Sequence, residues 1–365
     1  MEGHKIIIAG GGTGGHVFPA IAIGRALERL EPSVQLLFVG ALGKMEMEKV
    51  PEAGFRVKGL EIAGLNRSAW WKNISLPVKV IRSLRQAREI IRDFSPDVVV
   101  GVGGYASFPM LRSAQNKGIP TLIQEQNSYA GKTNKLMGKK AGKICVAYDG
   151  MEKFFPREKL VRTGNPVRHD IAENSVTREA ASAAFGLDPG KKTVLAVGGS
   201  LGAKSINEAI YAHLDEFTRS GIQLIWQTGT LFIDQATEII ALKEASASIR
   251  AQAFIRHMDK AYAAADVIIS RAGSTIAELC IVGKPAILVP YPYAAEDHQT
   301  QNARSLVDKN AALMVKDSDT GNELIGKAIG LIADEALQRQ LTDRLKGMAI
   351  KDSDERIAKE ILKLA

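Results

Sequence analysis

The turn Gly10-Gly11-Gly12-Thr13-Gly14-Gly15-His16, entered straight from the apolar run at residues 5–9, constrains this chain more than any other stretch. A short β-branched run, then glycines, then helical apolar spacing over residues 17–30 reads as strand, tight turn and helix start. Glycines at 10, 12 and 15 tolerate positive φ and close approach of a ligand, and the N–H groups at a helix start favour an anion such as a diphosphate. The spacing also fits the dinucleotide fingerprint, which asks for an acid about 20 residues on, at the end of the second strand. Residues 40–44, Gly-Ala-Leu-Gly-Lys, hold no carboxylate. A turn that merely lets helix pack on strand is the plainer alternative. His16 argues against it, because an imidazole beside a bound anion can take a proton or pair with charge.

A chain of 365 residues is too long for one ordinary core, so two domains are expected. A net charge of +8 points to an anionic partner. Cys145 and Cys280 stand alone in apolar settings and read as small buried hydrophobes, which fits a reducing compartment. The six histidines show no ligand spacing, so no metal site is expected. No apolar run reaches 18 residues, and residues 5–9 are too short for a signal-peptide core.

Strands at 35–39, 55–60, 97–102, 120–124, 143–147 and 160–163 alternate with helical stretches at 45–52, 77–93, 109–117 and 132–140. Such alternation builds a parallel sheet whose ligands bind beyond the strand C-terminal ends. Two of those ends are chemically rich: Gly101-Val102-Gly103-Gly104-Tyr105, and Gln124-Glu125-Gln126-Asn127, which could equally be a polar loop capping the next helix. On a helical wheel Val80, Leu84, Ala87 and Ile91 share a face opposite Lys79, Arg82, Arg85, Arg88 and Arg92, with Trp70, Trp71, Ile74, Leu76 and Val78 just before or at its start. That mixture suits an anionic membrane surface, although a solvated basic face is an equal reading.

Pro166 and Pro189-Gly190 punctuate the join, giving domains at 1–164 and 165–345, with a polar helical end near 345–365 that could pack back on the first. The second domain repeats the opening grammar: residues 193–197, then Gly198-Gly199-Ser200-Leu201-Gly202, then a helix. Further strands are expected at 223–227, 249–254, 267–270, 286–290 and 312–315. Both halves are α/β, two Rossmann-like doubly wound domains expected to face a cleft. Gly273, Ser274 and Thr275 offer N–H groups at a helix start, and Glu278 one turn in could accept from a ribose diol or simply favour the dipole. Residues 296–302 are dense in groups able to bond sugar hydroxyls.

Gly11-Gly12-Thr13-Gly14-Gly15-His16, Gly103-Gly104-Tyr105, Glu125-Gln126-Asn127, Gly164-Asn165-Pro166-Val167-Arg168, Gly198-Gly199-Ser200, Arg271-Ala272-Gly273 with Glu278, and Asp297-His298-Gln299 occur in this order. In that order they resemble the family-28 glycosyltransferases that convert lipid I to lipid II in bacterial peptidoglycan synthesis. The resemblance spans essentially the whole chain. It implies the GT-B plan, no cofactor, UDP-N-acetylglucosamine held mainly by the second domain, and a peripheral place on the cytoplasmic face of the cell membrane. It further implies lipid I, an anionic membrane surface and other cell-wall synthesis and division proteins as partners, with no nucleic acid. Ser200 would contact the donor phosphate, Glu278 the ribose, Ile255 main chain the uracil, Gln299 and Asn127 the sugar, and Arg168 the base or diphosphate. The first glycine turn, with Thr13, Gly14 and Gly15, would take the acceptor diphosphate. His16 is the first candidate for the base, supported by Tyr105 and Glu125. Gln124 stands where the family often has a histidine, so an acid-base role there does not carry over.

Overall fold

Runs such as Ile6-Ile7-Ile8, at most 1% exposed, are apolar on both faces because helices cover both sides of the sheet they enter. The computed structural model describes residues 3–64, 76–199 and 201–365. The expectations for Trp70, Trp71, Ile74 and Ser200 therefore lie outside the described residues. The chain divides into two compact units, Met1–Arg168 with Asp352–Ala365, and His169–Lys351.

In the first unit β1 (Lys5–Ala9), β2 (Gln35–Ala41), β3 (Val57–Leu60), β4 (Val98–Gly101), β5 (Thr121–Glu125), β6 (Lys143–Val146) and β7 (Leu160–Arg162) form a seven-stranded parallel sheet. Its order is β3-β2-β1-β4-β5-β6-β7, so the winding reverses between β1 and β4. Ala9 pairs with Gly101 there, and the turns that follow both strands emerge side by side at the switch point.

The helix Gly14–Leu30 buries Val17, Ala20, Ile23, Ala26 and Leu27. The last helix, Ser353–Leu362, lays the fully buried Ile357, Ala358 and Ile361 into the same apolar cluster, and Asp354 pairs with Arg29 at 2.7 Å. The chain end thus belongs to the first unit.

The helix Leu76–Phe94 buries Ser83, Ala87, Ile90 and Ile91. Its inward face is therefore rotated from the one the wheel predicts, and Val80 and Leu84 are only half-buried. Ser83 can enter because its hydroxyl donates to the Val80 carbonyl at 2.9 Å. Val78 and Ile81 remain 52% and 55% exposed.

In the second unit β8 (Thr193–Val197), β9 (Gln223–Gln227), β10 (Ile249–Gln252), β11 (Val267–Ser270), β12 (Ala286–Leu288) and β13 (Leu313–Met314) make a parallel sheet ordered β10-β9-β8-β11-β12-β13. Its switch point lies between β8 and β11. Several strands stop short of the spacing-based bounds. Past Leu288 the chain soon meets Pro290, which has no N–H for a ladder. Both cysteines are buried, and desolvation pushes the thiol of Cys145 up to about 12 and that of Cys280 up to about 11, so both stay protonated near neutral pH. Among the described residues no helix is long and apolar enough to cross a membrane.

Candidate active site

Each unit carries its glycine turns at the switch point of its own sheet, with polar groups at the ends of neighbouring strands. In the first, Gly11 and Gly12 adopt φ of +145° and +92°, and the turn passes so close to the one after β4 that a Cβ on Gly104 would lie 2.4 Å from the Gly11 carbonyl oxygen. Only glycine fits at such an approach.

Thr13 precedes the helix in extended conformation, yet its hydroxyl makes no cap bond. It meets His16 Nδ1 at 3.1 Å instead. This hydroxyl orients the imidazole, and the ring lies so near the β4 turn that a Cβ on Gly103 would stand 3.0 Å from Nε2. The Tyr105 ring covers Gly12, within 3.5 Å of where a Cβ would be. Burial, and after it the charge of Glu46, pushes the Tyr105 phenol above its usual value. At neutral pH it is therefore a proton donor to hydrogen bonds, not a base.

Glu125 is 2% exposed. One of its oxygens accepts from the Asn127 N–H at 3.0 Å and its side-chain amide at 3.3 Å; the other accepts from Gly131 N at 3.0 Å and Asn134 Nδ2 at 2.9 Å. Desolvation raises its pKa while these donors pull the other way. The carboxylate is committed to holding the 126–131 loop and orienting Asn127. Beneath it Gln124, fully buried, donates to Asn165 Oδ1 at 3.0 Å and accepts from Gln126, whose backbone carbonyl accepts from Asn165 Nδ2 at 2.8 Å. A carboxamide strut occupies the place where an acid-base histidine was the family expectation. Arg168 lies with its guanidinium 5.5 Å from the Phe18 ring, on the first helix of the first unit.

In the second unit the turn after β8 is gripped by Gln227, 3% exposed at the end of β9. Its Nε2 donates to the Gly199 carbonyl at 2.8 Å, and its Oε1 accepts from Ile255 N at 2.9 Å. The N–H that the resemblance assigned to the uracil is thus already donated to Gln227.

Gly273, Ser274 and Thr275 lead into the helix Thr275–Val282 after β11, with a Cβ on Gly273 falling 4.0 Å from Gln299 Nε2. Gln299 Oε1 accepts from Tyr291 N at 2.9 Å, and Asn302, fully buried, donates to the Ala272 carbonyl at 3.1 Å. Glu278 accepts from the buried Tyr262 hydroxyl at 2.7 Å. Arg271 donates to the Val289 carbonyl, the Ser205 hydroxyl and Asp317, tying the β11 turn to the helix that follows β8. These bonds pre-set a surface of N–H groups with one oriented carboxylate at its edge.

Three contributors carry no motif signature: Glu46, Gln227 and Asp317. The absence of a carboxylate at 40–44 spoke only against a ribose-binding acid of the dinucleotide kind. Glu46, two residues on and 2% exposed, sends its carboxylate back to that turn, donated to by Gly12 N and Ala41 N, each at 2.9 Å.

Two doubly wound units, each with a glycine turn at its switch point, have the plan of the GT-B fold. The glycosyltransferase family 28 N-terminal domain matches residues 6–146 and its C-terminal domain residues 193–361. The chain belongs to glycosyltransferase family 28. A Bacteroides fragilis protein is 51% identical over 99% of this chain and 96% of its own length. It is named UDP-N-acetylglucosamine–N-acetylmuramyl-(pentapeptide) pyrophosphoryl-undecaprenol N-acetylglucosamine transferase. A Cytophaga hutchinsonii protein of the same name is 48% identical over 99% of this chain and 97% of its own. Among solved structures, MurG of Acinetobacter baumannii matches with a TM-score of 0.76 at 28% identity, covering 99% of both chains. A UDP-GlcNAc 2-epimerase of Neisseria meningitidis shares the fold, with a TM-score of 0.67 at 15% identity over 100% of both chains.

Proposed function

We propose that this chain transfers N-acetylglucosamine from UDP-N-acetylglucosamine to the muramyl 4-hydroxyl of undecaprenyl-pyrophosphoryl-MurNAc-pentapeptide, converting lipid I to lipid II with inversion at the anomeric carbon. The observation that carries this reading is the full-length likeness, at 51% identity, to relatives named for that reaction. In this reading the helix start at Gly14 and Gly15 receives the acceptor pyrophosphate. His16, steered by Thr13, removes the proton of the attacking hydroxyl. Tyr105 donates its O–H nearby, and Asn127, set by Glu125, contacts the sugar. In the second unit Glu278 accepts from the ribose, Gln299 contacts the sugar, and the N–H groups of Gly273, Ser274 and Thr275 stabilise charge growing on the departing diphosphate.

The exposed Val78 and Ile81 beside Lys79, Arg82 and Arg85 support docking on an anionic membrane surface.

The test incubates labelled UDP-N-acetylglucosamine with a lipid I analogue and follows label into lipid, with and without excess EDTA. Transfer that persists in EDTA is expected. Label that stays in nucleotide sugar, with epimerisation at C2 in the absence of acceptor, would assign the epimerase chemistry of the fold relatives instead.

A further inference from the structure

A glycine turn that serves an anion ordinarily keeps its N–H groups for the ligand. In the first unit one of them is already spent. Glu46 opens the helix Glu46–Glu52, and its two oxygens divide between Gly12 N and Ala41 N, at 2.9 Å each. Its side chain also explains two glycines that no ligand requires. A Cβ on Gly11 would stand 2.2 Å from Glu46 Oε1, and a Cβ on Gly40 would stand 2.2 Å from Glu46 Cγ. Gly11, Gly40 and Glu46 are thus one fitted unit that joins the end of β2 to the turn after β1.

The placement has an electrostatic consequence. A carboxylate can only accept, so it grips N–H groups and sets Gly12 in its left-handed conformation. Being an anion, it also disfavours a second anion at the strand-side end of the turn. The donors farthest along the turn from Glu46 are those at the helix start, Gly14 and Gly15, beside the Thr13–His16 pair, and these are the ones that favour a pyrophosphate. The same carboxylate follows β2, where a dinucleotide fold keeps its ribose-binding acid, but it points inward and is consumed.

We propose that Glu46 is a positioning residue for the acceptor: its carboxylate clamps the glycine turn and confines the acceptor pyrophosphate to the helix start next to His16. The proposal rests on the reading that this unit takes the lipid-borne pyrophosphate.

The experiment compares full-length wild type with Glu46→Gln and Glu46→Asp, measuring KM for a lipid I analogue, KM for UDP-N-acetylglucosamine and the heat of UDP binding. Gln keeps the volume but turns an N–H toward one of the two donors. The acceptor KM should rise about tenfold or more in Glu46→Gln, the loss of one charge-assisted hydrogen bond, while UDP binding and the donor KM stay at wild-type values. Glu46→Asp keeps the charge and loses the reach, and its acceptor KM should rise with the Gln variant. An unchanged acceptor KM in Glu46→Gln overturns the proposal, a lowered one would leave Glu46 only a repellent charge, and a wild-type value in Glu46→Asp would leave charge alone as the cause. Should either variant lose UDP binding and so its fold, amide exchange of the wild type decides: Gly12 and Ala41 N–H must be protected, and rapid exchange at Gly12 removes the clamp. A wild type that transfers nothing to lipid sinks the functional reading while leaving the exchange result on Glu46 standing.

Discussion

The two glycine turns look alike in sequence and are held by opposite chemistry. After β1 the turn is fastened by a buried carboxylate that takes an N–H from Gly12; after β8 it is fastened by a buried carboxamide that gives an N–H to the Gly199 carbonyl. A carboxylate uses up an anion-binding donor and brings its own charge, whereas a carboxamide uses up a carbonyl and brings none. In the function proposed above, the nucleoside diphosphate sugar meets the neutral clamp, and the charged clamp would leave the pyrophosphate to the helix start. Two units built from one local grammar can thus be assigned to different anions by one side chain each.

The comparison breaks first on stability. Ile357→Ala removes a fully buried side chain from the helix that completes only the first unit, and should cost about 2–5 kcal/mol there. Hydrogen exchange should quicken in the helix Gly14–Leu30 ahead of β8 and β11; equal change in both units would count against separate cores.

Next comes chemistry. His16→Ala should lower kcat by around 10²-fold with UDP affinity intact, as expected for loss of a general base. A rate near normal would reduce His16 to positioning.

Gln227→Ala tests the neutral clamp. Loss of its two hydrogen bonds should weaken UDP binding about tenfold by calorimetry, with no rise in the acceptor KM. Tighter UDP binding would instead mean that Gln227 merely blocks the Ile255 N–H.

The smallest effect is at the surface of the first unit. His4 is held above its ordinary 6.5 by its hydrogen bond to Glu31, and that bond, working against desolvation, holds Glu31 below its ordinary value. The His4 contribution is full below pH 6.5 and fades as pH rises through the elevated folded value; the Glu31 contribution fades as pH falls through its lowered one. The His4 side chain is 44% exposed, so His4→Ala should cost no more than about 0.5 kcal/mol, seen by denaturant melts between pH 5 and 6 and shrinking by pH 8.

The strands and the glycine turns were legible because each rests on residues adjacent in the chain: a β-branched run buries both faces, and a glycine beside it permits the bend. The positions of His16, Tyr105 and residues 273–275 beyond β1, β4 and β11 were legible for the same reason, since each lies a few residues past the end of a strand. The helix face over residues 76–94 was misread by part of a turn, because a serine satisfied by its own helix is as acceptable inside as a leucine. Glu125 in the polar run 124–127 read either as a group supporting the base or as part of a capping loop, and only its four N–H contacts reveal how it anchors that loop.

What the sequence by itself determined, then, is the alternation of elements, the two phosphate-type turns and the family they belong to, all short-range patterns in which local spacing dictates local geometry. What only the tertiary structure decided is which buried side chain holds each turn. Glu46 lies 34 residues from Gly12 and Gln227 lies 28 from Gly199. Hydrogen bonds across such separations are set by sheet order and helix packing, and so leave no trace in neighbouring residue types.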